Sequence, residues 1–99
     1  MTKRKNNRRV PENLPVLIRW RDSYGPTARW QEIDELQPTE LVATSVGWIV
    51  AKNKDSLVLV PHLIDGNERV AKQGCGEMTI PRRSIIAIHA LTKAGTSSQ

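Results

Sequence analysis

Two β-branched runs stand almost end to end in the middle of the chain: LVATSVGWIVAKN, residues 41–53, and SLVLVPHLI, residues 56–64, joined through the polar turn NKDS. Valine, isoleucine, threonine and tryptophan suit a pleated, half-buried surface better than a helix. The second run is apolar on both faces as far as Pro61. A strand of that kind does not belong in a sheet with one wet face. PVLIRW (15–20) adds a strand with a two-residue period, setting Val16, Ile18 and Trp20 against Leu17, Arg19 and Arg21. GEMTIP (76–81) and SIIAIHAL (84–91) supply two more. The expectation is a mainly β fold: a small five-stranded barrel, closed so that both faces of its strands are covered.

The punctuation fills in the rest. DSYGPT ends the first strand, with Gly25-Pro26 as the turn. WQEIDELQP then places Trp30, Ile33 and Leu36 at three-residue spacing, with acids between them and Pro38 at the end. This predicts one short helix inserted after the first strand and lying over one mouth of the barrel. Gly47 sits inside a strand, where glycine marks a bend or bulge. DGNERVAKQGCG reads as a polar, glycine-rich loop. The domain bounds that follow are a disordered basic arm over residues 1–13, a barrel over 14–92 and a disordered tail over 93–99.

Charge is concentrated rather than spread. The net charge is +5, and Lys3, Arg4, Lys5, Arg8 and Arg9 supply five positives with no acid among them, so the remainder of the 99 residues is neutral. KRKNNRR has too little apolar surface to offset its own ordering entropy. It is either an electrostatic hook for nucleic acid or a solubilising tail. No apolar run approaches the roughly 18 residues of a membrane span, and no signal-peptide stretch opens the chain, so it reads as cytoplasmic with no membrane partner. Cys75 alone excludes an internal disulfide.

Catalytic and metal patterns are thin. His62, His89 and Cys75 are three donors of metal-ligand type without any close pair such as C-x-x-C, and each histidine reads as structural. Glu32, Asp34 and Glu35 read as a solvated face, with no nucleophile placed beside them. Cys75 sits between glycines in the expected loop, with Lys72 its one basic neighbour. No phosphate-binding glycine loop and no glycine-flanked serine is present. The chain reads as a non-enzyme with no catalytic residue, no metal and no cofactor.

The order of these elements resembles the Sm-like (SH3-like) small barrels: a strand, an insertion, a strand bent at Gly47, an apolar strand, a variable loop, then the MTIPRRSI corner into an isoleucine-rich strand. The SVGW strand, the L-x-P strand and the closing MTIP segment also resemble small phage- and prophage-encoded proteins. The Sm-like resemblance implies ligand loops at KNKDS (52–56) and PRRS (81–84), hence Lys52, Asn53, Lys54, Arg82 and Arg83 as ligand-binding residues. The chain departs from that family where Asn53 stands for its acid, Leu57 for its asparagine, and Arg83 for the glycine after its arginine. A uridine-specific pocket is therefore not implied.

Arg82 and Arg83 are either a solvated turn between core strands or the tip of an anion site. Barrels of this size often complete their cores by pairing edge strands with a neighbour, which favours a homo-oligomer. Three functions remain open. The protein binds RNA or single-stranded DNA through Lys3, Arg4, Lys5, Arg8, Arg9 and the loop arginines. Alternatively, it is a phage anti-defence protein that sequesters a cyclic nucleotide signal between subunits in the host cytoplasm. The third reading is a protein–protein adaptor acting on a host or virion factor.

Overall fold

The first strand sets the pattern. Within β1 (Val16–Asp22), Val16 and Ile18 are fully buried, while Arg19, Arg21 and Asp22 face solvent. Trp20 is half-buried and its indole Nε1 donates to Ser45 Oγ at 3.1 Å, so its polar edge is satisfied where it leaves the core. The computed structural model describes Val10 and residues 13–93. The basic arm expected at Lys3, Arg4, Lys5, Arg8 and Arg9 lies outside the described residues, as does most of the expected tail.

Six further strands follow: β2 (Leu41–Lys52), β3 (Ser56–Val60), β4 (His62–Ile64), β5 (Gln73–Cys75), β6 (Met78–Pro81) and β7 (Ile85–Ala90). All pairings are antiparallel. Five strands form one sheet in the order β6-β3-β2-β1-β7, and β4 pairs with β5 in a separate ribbon.

β2 divides its length between two partners. Leu41 to Gly47 pair with β1, and Trp48 to Lys52 pair with β3, with a register shift between Ile49 and Ala51. Gly47 sits at the change of partner. A Cβ there would run into the backbone carbonyl of Val60, so only glycine lets β3 come this close. The bend folds one wing of the sheet toward the other. Val16 and Ile18 from β1 meet Leu57 and Leu59 from β3, Ile80 from β6 and Ile85 from β7 in a single core.

Three expectations need correction. The sheet curls without closing into a barrel: β6 and β7 end the strand order and do not pair with each other. The chain passes between them through a tight 3₁₀ turn, Arg82–Ser84, that directs β7 to the side of β1 instead. The described residues form seven strands rather than five. Pro61, having no N–H for a ladder, ends β3, and the continuation leaves to pair with Gln73–Cys75, inside the stretch expected to be loop. Finally, among the described residues no helix covers a mouth of the fold. Residues 30–38 contribute only the 3₁₀ turn Ile33–Glu35, and every residue from Arg21 to Val42 is exposed. Such a short segment does not hold a helix without packing, and here its apolar residues meet no partner.

The apolar outer faces read from the sequence are present, but they stay wet: Val42, Val46, Val50 and Ile86 are all exposed. No described helix is long and apolar enough to cross a membrane.

Gly47→Ala tests the hinge. Forcing a methyl against the Val60 carbonyl should lower stability by about 1–3 kcal/mol, the usual cost of overpacking, as read by urea unfolding. An unchanged midpoint would show that β2 and β3 do not need this approach.

Candidate anion-binding corner

The turn after β2 is built by Asn53. Its side-chain carbonyl accepts the backbone N–H groups of Asp55 at 2.9 Å and Ser56 at 2.8 Å, while its own N–H donates to the Ser56 carbonyl at 2.9 Å. Asparagine favours such turns because its short side chain substitutes for a backbone acceptor. Register does the rest: Ser56 pairs with Pro81 and Leu57 with Ile80, so this turn lies against the corner after β6.

Arg82 fastens the two together. Its backbone N–H donates to the Asp55 carbonyl at 2.9 Å, and its Nε donates to the Asn53 carbonyl at 2.8 Å. The arginine is half-buried in consequence, whereas Arg83 beside it is exposed. The adjacent arginines therefore differ. One pins a loop, and the other points into solvent.

A recess of about 400 Å³ opens at this junction, lined by Lys54, Asp55, Ser56, Pro81, Arg82 and Arg83. Three cations face one carboxylate, so the recess is net positive. Arg82 uses one of its five guanidinium donors on Asn53, and neither Arg83 nor Lys54 makes a side-chain bond among the described residues. Planar guanidinium groups match the paired oxygens of a phosphate, and Lys54 adds a point charge.

Of the five expected ligand residues, Lys54, Arg82 and Arg83 line the recess. Asn53 builds the loop beneath it, and Lys52 ends β2 opposite Leu57 without lining it. Asn53, expected among the ligand residues, builds the turn instead, as asparagine at the head of NKDS signals. Asp55, outside the expected set, holds the corner in place through its carbonyl.

His62 stands opposite Cys75 across the β4–β5 ribbon, and His89 lies on β7 opposite Leu17. Cys75 is thus on a strand and exposed, not in a loop. Among the described residues no group of three or more His, Cys, Asp or Glu is placed to hold a metal ion.

A second concavity, unsignalled by any motif, lies elsewhere. It encloses about 480 Å³ between Leu14, the Trp48–Val50 part of β2, Leu63 and Lys72. No known protein family, curated protein or solved structure matches the chain. The functional reading therefore stands on this chain's own geometry.

The asymmetry of the arginines is directly measurable. Arg82→Ala should cost about 1 kcal/mol through the lost bond to Asn53, while Arg83→Ala should stay within about 0.5 kcal/mol, both by urea unfolding. Equal effects would contradict the division of roles.

Proposed function

We propose that the protein is a non-enzymatic, homo-oligomeric binding protein that grips the phosphates of RNA or single-stranded DNA at the Lys54, Arg82 and Arg83 corner. Lys3, Arg4, Lys5, Arg8 and Arg9 add a sequence-independent attraction. The carrying observation is the meeting of two sequence-distant loops in one net-positive recess of about 400 Å³, whose geometry Arg82 fixes and whose charge Lys54 and Arg83 present to solvent. The bend of β2 at Gly47 and the corner before β7 support the Sm-like reading of the body, as an open and curled version of that barrel.

A recess this shallow gives phosphate contacts rather than base readout. Affinity should therefore depend on salt and little on sequence. The body outside the arm carries no charge excess, so the arm governs the long-range part of the attraction and the corner the short-range part.

Salt titration of binding separates these contributions. On a single strand each neutralised phosphate contributes about 0.7 to the slope of log affinity against log salt. Deleting residues 1–9 should flatten that slope by roughly 2 to 3 units, as expected if three or four arm charges are engaged. Changing Lys54 and Arg83 together to Ser should remove about 1.4 more and weaken all sequences alike. Failure of the full chain to bind either nucleic acid would overturn the proposal. Tight binding of a cyclic nucleotide that survives arm deletion would replace it with the sequestering protein.

A further inference from the structure

We infer that Asp55 makes the positive corner selective for RNA over single-stranded DNA, its carboxylate accepting the ribose 2′-hydroxyl beside a phosphate held by Lys54 and Arg83. This rests on the proposed reading of the corner as a phosphate grip, and it names which of the two nucleic acids the grip prefers.

The carboxylate stands where a plain phosphate grip has no use for one. Asp55 lines the recess together with Lys54, Ser56, Arg82 and Arg83. A negative charge there opposes a bound phosphate, and the dielectric of a protein surface weakens that repulsion without removing it. The turn does not require the side chain either. Residues 53–56 are shaped by the Asn53 side chain and by the backbone of Asp55. The Asp55 N–H donates to Asn53 Oδ1 at 2.9 Å, and its carbonyl accepts the Arg82 N–H at 2.9 Å.

Nor do its neighbours neutralise it. Three cations line the same recess, yet no side chain pairs with the Asp55 carboxylate among the described residues. Arg82 turns its Nε to the Asn53 carbonyl instead, at 2.8 Å. The residue is thus held by its backbone on both sides, with its carboxylate open to a ligand.

The chemistry of that group selects the ligand. A carboxylate accepts hydrogen bonds and donates none, so it needs a donor close to the phosphate. The sugar–phosphate backbone of a DNA strand offers none between its ends. RNA offers the 2′-hydroxyl at every nucleotide, on the carbon next to the one that carries the 3′-phosphate. Base amino groups are donors too, but they lie across the sugar from the phosphate. Lys54, Asp55 and Ser56 are consecutive, so one turn presents cation, acceptor and hydroxyl side by side. The backbone N–H and carbonyl of Ser56 are both engaged by Asn53, while its hydroxyl has no partner among the described residues and can donate to a phosphate oxygen. Carboxylates serve ribose hydroxyls in the same way in dinucleotide sites.

Two effects therefore combine. Repulsion by Asp55 acts on both nucleic acids, and only RNA regains a hydrogen bond to the charge. Because the sugar is read and not the base, this selectivity is indifferent to sequence. Asp55 lies outside the positions that the likeness to small barrels marks for a ligand, so the preference belongs to this chain's own turn.

Three strands of one sequence test this: RNA, the same RNA with every 2′-hydroxyl methylated, and single-stranded DNA. Each is titrated at one salt concentration into the full chain, Asp55→Ala and Asp55→Asn. The full chain should bind RNA about five- to tenfold more tightly than either other strand, the scale of one hydrogen bond to a charged group in an open site. Asp55→Ala should bind all three alike, with its affinity for DNA raised, whereas a damaged fold would lower it. Asp55→Asn keeps an acceptor without the charge, so it should gain affinity for DNA and retain part of the preference for RNA. Equal binding of RNA and DNA by the full chain would overturn the role of Asp55 and leave the phosphate grip standing. A preference for RNA that survives methylation or Asp55→Ala would do the same. Binding of neither nucleic acid would overturn the grip and this inference with it.

Discussion

The close passage of the Val60 carbonyl over Gly47 is the contact on which the rest of the molecule depends. A side chain at that position would hold β3 away from β2, and β2 would run on as one flat strand between β1 and β3. With glycine there, β2 pairs with β1 up to residue 47 and with β3 from residue 48, and the two wings turn inward. Only then do Val16 and Ile18 meet Leu57, Leu59, Ile80 and Ile85. The positive corner follows from the neighbouring pairing: β3 and β6 run side by side with Ser56 opposite Pro81, which sets the Arg82–Ser84 turn beside the loop at 53–56.

How much of this was legible follows from how local each signal is. The alternation of Val16 and Ile18 and the bend at Gly47 were readable, since period and glycine placement report on backbone geometry directly, whereas the nearness of the 52–56 loop to the 81–84 corner was implied only by the resemblance to small barrels. The failures have a common form. Two apolar faces in the strands predicted closure, yet Val42, Val46 and Val50 remain in water, because an apolar side chain in a sequence does not say whether its own chain covers it. The spacing of Trp30, Ile33 and Leu36 predicted a helix over one mouth of the barrel for the same reason, yet all three residues are exposed. The strand Gln73–Cys75 was hidden by its glycine and polar content, and it exists because Pro61 diverts β4 to a new partner. The unequal roles of Arg82 and Arg83 depend on one carbonyl, that of Asn53, which no spacing rule reports.

Under the proposed function, the basic residues near the start of the chain would supply the long-range charge and the corner the oriented cations. A body without charge excess would let copies of an oligomer approach without repulsion, and an oligomer would present several corners to one polyanion. Modest contacts at each corner would then suffice, which accords with a recess open to solvent.

Backbone amide shifts measured by NMR during titration with a short RNA oligomer test the central claim most directly, because they report the bound surface residue by residue. The account requires the largest shifts at Lys54, Asp55, Arg82 and Arg83, with little change in the β4–β5 ribbon. Shifts confined to the ribbon or to the outer face of β1, with the corner amides unmoved, would contradict it.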